Sequence, residues 1–180
     1  MARLVGHLLH FSRAGRDQVS TVDVPDEVRK ILELTEPHLR RLRVEVAPEF
    51  HPDVPDIFAD RQQLRQVMLN PVTNAGDAMP KGGLLTLRVR PGTLPSGKAA
   101  VVIEVADTGT GISADILPRV FDPFFTTKEE GKGTGLGLAI CKRIVEQHRG
   151  ILAIESQIDK GTTVRVTLPV KNGTNIAGLR

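Results

Sequence analysis

The chain has 180 residues, of which 40% are hydrophobic and 25% are charged, a composition that suits one globular domain with a sizeable core. Its single cysteine, Cys141, excludes an internal disulfide and favours a reducing compartment. No apolar run of about 18 residues or more is present, so the sequence predicts no membrane span in this chain. The net charge is +3, but the basic residues are dispersed and Tyr and Trp are absent, which argues against nucleic-acid binding.

The N-terminal region predicts a short helix followed by a longer one. Apolar residues recur at helical spacing over residues 4–14. Pro25, with two acidic residues behind it, is typical of a helix start, because proline fits the first turn and acids favour its positive end. This second helix is expected to run to about residue 36 and to end or kink at Pro37.

The middle of the chain predicts strands on either side of a loop, followed by a long helix. Alternation over residues 42–47 predicts a strand, and residues 57–59 predict another. Prolines at positions 48, 52 and 55 predict the loop between them. Asp60 is a suitable N-cap for a helix over 61–79.

The second half of the chain predicts two pairs of strands with a helix between them. The strands cover residues 84–90, 99–106, 151–157 and 162–170, and the helix covers 135–149. A turn starting at Pro91-Gly92 is expected to join the first pair. The order of elements predicts an α+β fold, a two-layer sandwich with helices packed on one face of a mixed β-sheet.

A glycine-rich segment runs directly into an apolar helix at Gly131-Lys-Gly-Thr-Gly-Leu-Gly-Leu-Ala-Ile140. Glycines let the backbone approach a charged ligand closely. The start of a helix offers unpaired N–H groups and a positive dipole end. The segment therefore predicts an anion site, and a nucleotide phosphate is the best candidate anion.

Polar residues line one face of the helix predicted over 61–79. Asn70, Asn74 and Asp77 are four and three residues apart, a spacing that puts them on one face. Such residues among apolar neighbours indicate a binding role, because burying them unpaired costs free energy. Pro71 lies between the asparagines and removes a backbone donor at a cost of about 3 kcal/mol. A kinked helix, a weakened site and an engineered or degenerate substitution are all compatible with it.

Two further segments complete the set of motifs. A buried strand over 101–107 is expected to carry Asp107 onto the turn Gly109-x-Gly111. Three of the six phenylalanines then follow at positions 121, 124 and 125, with Lys128 just after them.

In order and content, these four segments resemble the N, G1, F and G2 boxes of the ATP-binding domain of sensor histidine kinases. That domain belongs to a superfamily shared with type II topoisomerases, the ninety-kilodalton heat-shock chaperone and mismatch-repair ATPases. The resemblance covers roughly residues 22–170, and its phenylalanine and glycine-rich boxes favour a kinase. It implies a Bergerat-type ATP-binding fold with ATP and Mg²⁺ as cofactors.

The resemblance also implies roles for individual residues. Asn74 would be the Mg²⁺ ligand, Asp107 would accept a hydrogen bond from the adenine amine, and Thr162 would support the adenine pocket. Lys128, in an ATP lid over 118–132, would reach the terminal phosphates. Asn70 stands where the ATPase relatives carry a glutamate, so it would orient a water without acting as a general base. The other nucleotide-binding residues implied are Asp77, Gly109, Gly111, Ile112, Gly133, Thr134, Gly135, Leu136, Gly137 and Leu138.

Each of these assignments has a simpler alternative. Both asparagines could be solvated on the helix surface, and Asp107 could cap its own turn. Lys128 could be a solvated loop lysine, and Thr162 could be a strand residue with an exposed hydroxyl.

Three parts of the chain follow from the resemblance. Residues 1–21 resemble the tail of a dimerisation-hairpin helix and a linker, residues 22–170 form the ATP-binding kinase domain, and residues 171–180 are expected to be a disordered tail. His7 and His10 lack the acidic neighbour and Arg-x-Pro pattern of a phosphoacceptor. The expected partners are therefore a histidine-containing dimerisation domain of the same kinase and a response regulator receiver domain. The full-length kinase is expected to be cytoplasmic, or to have this domain on its cytoplasmic side, and to form a homodimer.

Two other functions compete with the kinase hypothesis. Pro71 favours a nucleotide-binding module that has lost catalysis and works through protein contacts. An ATPase of the topoisomerase or chaperone type is disfavoured, because Asn70 stands where a glutamate is needed.

Overall fold

The computed structural model describes residues 19–129 and 133–170. Within these ranges the helices are α1 (Val24–Arg41), α2 (Arg61–Ala78) and α3 (Gly137–Gln147). The strands are β1 (Val19–Val22), β2 (Val44–Phe50), β3 (Ile57–Asp60), β4 (Gly83–Thr93), β5 (Ala99–Asp107), β6 (Ile151–Gln157) and β7 (Gly161–Pro169). A short 3-10 turn, Leu117–Arg119, lies in the connection from β5 to α3.

Five strands form one mixed sheet in the order β2-β4-β5-β7-β6. The edge strand β2 runs parallel to β4, and all other neighbours are antiparallel. The strands β1 and β3 pair antiparallel in a separate two-stranded sheet. The strand β1, four residues long and next to the start of α1, was not predicted from the sequence.

The helices cover one face of the five-stranded sheet. Alternate residues of β5 (Val101, Ile103 and Val105) are at most 3% exposed and share one core cluster with Met68 and Val72 of α2. The alternation follows from the period of two residues along a strand. This arrangement confirms the predicted α+β sandwich.

The opposite face of the sheet carries charged side chains in register across its strands. Glu104 of β5 is 7% exposed and accepts hydrogen bonds from Arg90 at 3.1 Å and from Arg165 at 2.7 Å. Arg165 also donates to Glu155 of β6 at 2.8 Å. A nearly buried carboxylate is tolerated here because two guanidinium groups pair with it.

The predicted end of the first long helix at Pro37 is wrong, because α1 continues to Arg41. The turn beyond the proline buries Leu39, which is 1% exposed and belongs to the core. Burial of that side chain outweighs the hydrogen bond that the proline cannot make.

Two other prolines also lie in regular structure where the sequence predicted loops. Pro48 belongs to β2, and because β2 is an edge strand its missing N–H costs no ladder bond. Pro91 and Gly92 continue β4, opposite Val101 and Ala100. They lie beyond the last residue of β2 that pairs with β4, so β4 is itself an edge at that point.

Candidate functional site

The second half of α2 presents polar side chains toward two neighbouring elements. Asp60 caps the helix as predicted, because its carboxylate accepts from the backbone N–H groups of Gln62 at 2.8 Å and Gln63 at 3.0 Å. The helix continues through Pro71 without interruption to Ala78. Continuity of α2 keeps Asn70 and Asn74 one helical turn apart, as the sequence predicted.

Lys128 lies against the two polar residues nearest the end of α2. Its ammonium nitrogen is 3.0 Å from Oδ1 of Asn74 and 2.6 Å from Oδ2 of Asp77. The two oxygens therefore pair with a cationic group of this chain. The segment that carries Lys128 is held over α2 by these contacts.

Asn70 is oriented differently, with its amide toward α3. The Nδ2 atom donates to the carbonyl of Gly137 at 3.1 Å and to the sulfur of Cys141 at 3.3 Å. Among the residues that the structure describes, no hydrogen bond reaches its Oδ1. The three polar residues of α2 thus divide into a pair that holds Lys128 and an asparagine that holds α3.

Asp107 ends β5 and organises the turn that follows. Its Oδ1 accepts from the backbone N–H groups of Gly109 at 2.8 Å and Thr162 at 3.2 Å. Burial raises the pKa of this carboxyl, although the two backbone hydrogen bonds act in the opposite direction. The predicted turn cap is therefore present on Oδ1, and within the described residues Oδ2 makes no hydrogen bond.

The turn after Asp107 requires glycine at Gly111. Its φ is +68°, and a Cβ there would collide with the carbonyl oxygen of Gln157. The N–H of Ile112 donates to the hydroxyl of Ser156 at 2.8 Å. These contacts fix the turn against the β6–β7 hairpin.

Ser156 is a residue of the site that sequence reasoning missed. Its hydroxyl donates to the carbonyl of Gly161 at 2.9 Å and lies 2.9 Å from the hydroxyl of Thr162. The signal that could have found it is the hairpin register, which places Ser156 directly opposite Thr162. Thr162 is thereby held beside Asp107 by both its backbone and its side chain.

The glycine-rich segment packs on the phenylalanine segment (residues 121–128) before α3 begins. Gly135 has φ +65°, and its carbonyl accepts from the N–H of Phe124 at 2.9 Å. A Cβ on Gly135 would collide with the backbone of Phe124. Leu136 precedes α3, and its N–H bonds to the hydroxyl of Thr134 at 3.4 Å. Gly137 is the first residue of α3, and Leu138 is the second. Gly133 is the first residue of the glycine-rich segment that the structure describes.

Cation–aromatic contacts hold the phenylalanine segment. Arg119 lies over the ring of Phe125 at 4.5 Å, and Lys142 of α3 lies over Phe121 at 5.4 Å. Phe124 is instead 75% exposed. Two phenylalanines thus hold the segment in place, and the third faces solvent.

Some of the predicted features lie outside the described residues. His7, His10, Gly131, the proposed helix tail and the C-terminal tail lie outside them. Over residues 19–129 and 133–170, no three His, Cys, Asp or Glu side chains form a group that could hold a metal ion. No helix in those ranges has the length and apolar character needed to cross a membrane.

Comparison with known proteins places this arrangement in a family. The family described as histidine kinase-, DNA gyrase B- and HSP90-like ATPase matches residues 59–172. The sensor kinase CckA of Brucella abortus is 42% identical over 93% of the chain, which spans only 19% of that protein's length.

Two solved structures share the fold. The crystal structure of full-length ShkA in complex with AMPPNP matches 93% of this chain, and the match covers 35% of the ShkA chain. The TM-score is 0.78 and the sequence identity is 30%. The nucleotide-free catalytic domain of histidine kinase ThkA matches 84% of this chain, and the match covers 95% of the ThkA domain. The TM-score is 0.73 and the sequence identity is 28%.

Proposed function

The chain belongs to the histidine kinase-, DNA gyrase B- and HSP90-like ATPase family as a sensor histidine kinase catalytic domain, and we propose that it transfers the γ-phosphoryl group of ATP to a histidine of another domain. The observation that carries this proposal is that α2 contacts both of the other motifs. In the turn after Asp107, the N–H of Thr110 donates to the carbonyl of Ala78 at 3.1 Å. At the start of α3, the carbonyl of Gly137 accepts from Asn70 at 3.1 Å. The site has a carboxylate for the base, amide and carboxylate oxygens for a cation, and a helix N-terminus for phosphates.

Asp107 is the proposed recognition residue for adenine. Its Oδ1 is used by two backbone N–H groups, so Oδ2 is the acceptor available to the exocyclic amine. A guanine base carries an oxygen at that position, which would face the carboxylate unfavourably. Selectivity for ATP over GTP follows from this single acceptor.

Asn74 is the proposed Mg²⁺ ligand, with Asp77 beside it. Mg²⁺ prefers oxygen ligands and is commonly held by few protein atoms together with substrate phosphates. The contact of both side chains with the ammonium of Lys128 supports their suitability for a cation. When bound, Mg²⁺ would offset negative charge on the phosphates. Lys128 would then be free to contact the terminal phosphates as a point charge.

Phosphoryl transfer, rather than hydrolysis, follows from the side chain at position 70. The amide of Asn70 cannot take a proton from water, so it orients groups near the nucleotide without activating a nucleophile. The attacking group must come from elsewhere, and a histidine on a dimerisation domain supplies it. Positioning and charge stabilisation are the main requirements of this chemistry.

The wider setting is proposed on the same basis. Residues 22–170 would be the kinase domain, preceded by the end of a dimerisation hairpin in residues 1–21 and followed by a tail. The full-length protein would be a homodimer acting on the cytoplasmic side, and a response regulator receiver domain would take the phosphoryl group from the histidine.

Labelled ATP tests the proposal directly. The chain would be incubated with γ-labelled ATP and Mg²⁺, alone and with a separate histidine-containing dimerisation domain of the same kinase. We expect label on the added domain only, acid-labile as phosphohistidine is, and none when its acceptor histidine is replaced. If the chain alone released phosphate from ATP as fast as it does with the added domain present, the chain would be an ATPase instead. Neither label nor phosphate would indicate an interaction module.

A further inference from the structure

Pro71 leaves a carbonyl of α2 without its helical partner. In a regular helix the N–H of residue 71 would donate to the carbonyl of Val67, four residues earlier, but proline has no N–H. Pro71 and Val67 are both buried, so water does not readily replace the missing donor. An unpaired buried carbonyl is costly, and α2 nevertheless continues to Ala78.

A side chain from the neighbouring helix takes the place of that donor. The sulfur of Cys141 lies 3.6 Å from the carbonyl oxygen of Val67, within reach of an S–H donor. Cys141 is fully buried, and burial raises the pKa of its thiol to about 11. The thiol therefore keeps its proton at neutral pH and can donate it.

The same sulfur also contacts a proposed functional residue. Nδ2 of Asn70 donates to it at 3.3 Å and to the carbonyl of Gly137 at 3.1 Å. Since the single thiol proton goes to Val67, the sulfur acts as an acceptor toward Asn70. Both partners of Asn70 on α3 are then acceptors, and the amide can satisfy them only with its nitrogen toward α3.

We propose that Cys141 is a positioning residue that supplies Val67 with the hydrogen bond Pro71 removes and fixes the orientation of the Asn70 amide. The buried thiol thus makes the proline compatible with an intact α2, and it leaves Oδ1 of Asn70 as the atom available to the nucleotide side. The second part of this inference rests on the proposed function.

A double-mutant cycle in urea tests the link between Cys141 and Pro71 without any nucleotide. Pro71→Ala restores an N–H opposite Val67. Cys141→Ala is expected to raise the unfolding equilibrium constant in both backgrounds. We expect the increase to be roughly fivefold to tenfold larger when Pro71 is present than in the Pro71→Ala background, because only then does the substitution remove a needed hydrogen bond. Cys141→Ser, which keeps a donor and an acceptor, is expected to lose less than Cys141→Ala.

The matched control is Val145→Ala, a truncation of another fully buried residue of α3. Its penalty is expected to be the same with and without Pro71→Ala. Equal penalties for Cys141→Ala in both backgrounds would overturn the proposed replacement of the helical bond.

Titration with Mg²⁺-ATP tests the link between Cys141 and Asn70. Both Cys141→Ala and Asn70→Ala are expected to weaken ATP affinity several-fold, and the double variant is expected to bind no more weakly than Asn70→Ala alone. Cys141→Ser is expected to recover part of the loss. Fully additive losses, or unchanged affinity in Cys141→Ala, would overturn the positioning of Asn70. If the unaltered chain itself binds no ATP, the proposed function fails, and the urea cycle still decides the hydrogen-bond replacement.

Discussion

The two carboxylate oxygens of Asp107 have different tasks. Oδ1 holds two backbone N–H groups, from the turn and from β7, and Oδ2 is left for the base. From the sequence, capping of the turn and recognition of adenine were alternative roles for Asp107. In the structure one oxygen makes the cap, and the proposed recognition uses the other.

Asp107→Asn should separate binding from stability. The amide oxygen can keep both backbone hydrogen bonds, but Nδ2 then replaces Oδ2 and sets a donor against the donor amine of adenine. We expect ATP affinity to fall about 10-fold to 100-fold, as for a lost hydrogen bond to a charged group. The melting temperature should hold or rise, because the raised pKa of Asp107 indicates that burying its charge is unfavourable. Calorimetry and thermal melts measure the two effects, and unchanged ATP affinity would count against adenine recognition by Asp107.

At the scale of elements, a buried carboxylate ties α1 to α2. Glu27 is fully buried, and it pairs with Arg65 at 2.6 Å and Arg61 at 3.0 Å from α2 and with Lys30 at 3.1 Å. Burial pushes the pKa of Glu27 up, but hydrogen bonds from Arg65 and Lys30 outweigh it and the pKa is lowered. The contact fixes the helix that carries Asn70 and Asn74 against its neighbour.

Glu27→Ala is expected to lower the free energy of unfolding by about 1–3 kcal/mol. Breaking a fully buried pair costs more, but the two arginines are nearly half exposed and water compensates them in part. The matched control is Glu36→Ala, whose pair with Arg40 lies on the exposed side of the same helix. Its effect should stay within about 0.5 kcal/mol in urea unfolding. Equal losses in the two variants would rule out a special role for the buried contact.

The turn between β5 and the phenylalanine segment depends on one glycine. Gly111→Ala would place a Cβ against the backbone of Gln157 at a positive φ, whereas Gly97→Ala would have a similar φ but open space around it. We expect Gly97→Ala to cost about 1–2 kcal/mol, the penalty of left-handed backbone alone. Gly111→Ala should cost clearly more and also reduce ATP affinity, as measured by urea unfolding and calorimetry. Equal costs would show that the turn can move away from the hairpin.

Elements were predictable where local signals are strong and unpredictable where packing decides. The cap at Asp60, the long α2 and the β6–β7 hairpin follow from residues close in sequence. The passage of α1 through Pro37 depends on burial of Leu39, and the place of Pro48 in a strand depends on β2 being an edge. Neither burial nor edge position can be read from neighbouring residues.

At the scale of the whole molecule, strand order and the internal contacts of the site needed the structure. Motif order located Asn74, Asp107 and the glycine-rich segment, because each motif is local. The contact of Lys128 with Asp77, and that of Cys141 with Val67, join residues more than 50 positions apart. Such pairs depend on how helices and segments pack, which no local pattern encodes.

The whole molecule should lose stability in mild acid. Glu27 lies in the helical layer and Glu104 lies on the open face of the sheet. Burial raises the pKa of each carboxyl, but the cationic partners lower it by more, so both pKa values are below the ordinary 4.5. Their stabilisation is therefore complete above about pH 4.5 and is lost as the pH falls through the folded-state values. Melting temperature should be nearly flat down to about pH 5 and then fall, with a smaller fall in Glu104→Gln. A fall in melting temperature as large in Glu104→Gln as in the unaltered chain would contradict the assignment of the Glu104 ion pairs.

Calorimetric titration of the chain with ATP, ADP and GTP, with and without Mg²⁺, tests whether the chain is an adenine-specific nucleotide-binding domain. We expect adenine-selective binding that is strengthened by Mg²⁺, and loss of that strengthening in Asn74→Ala. Absence of binding at millimolar nucleotide, or equal affinity for ATP and GTP, would contradict it.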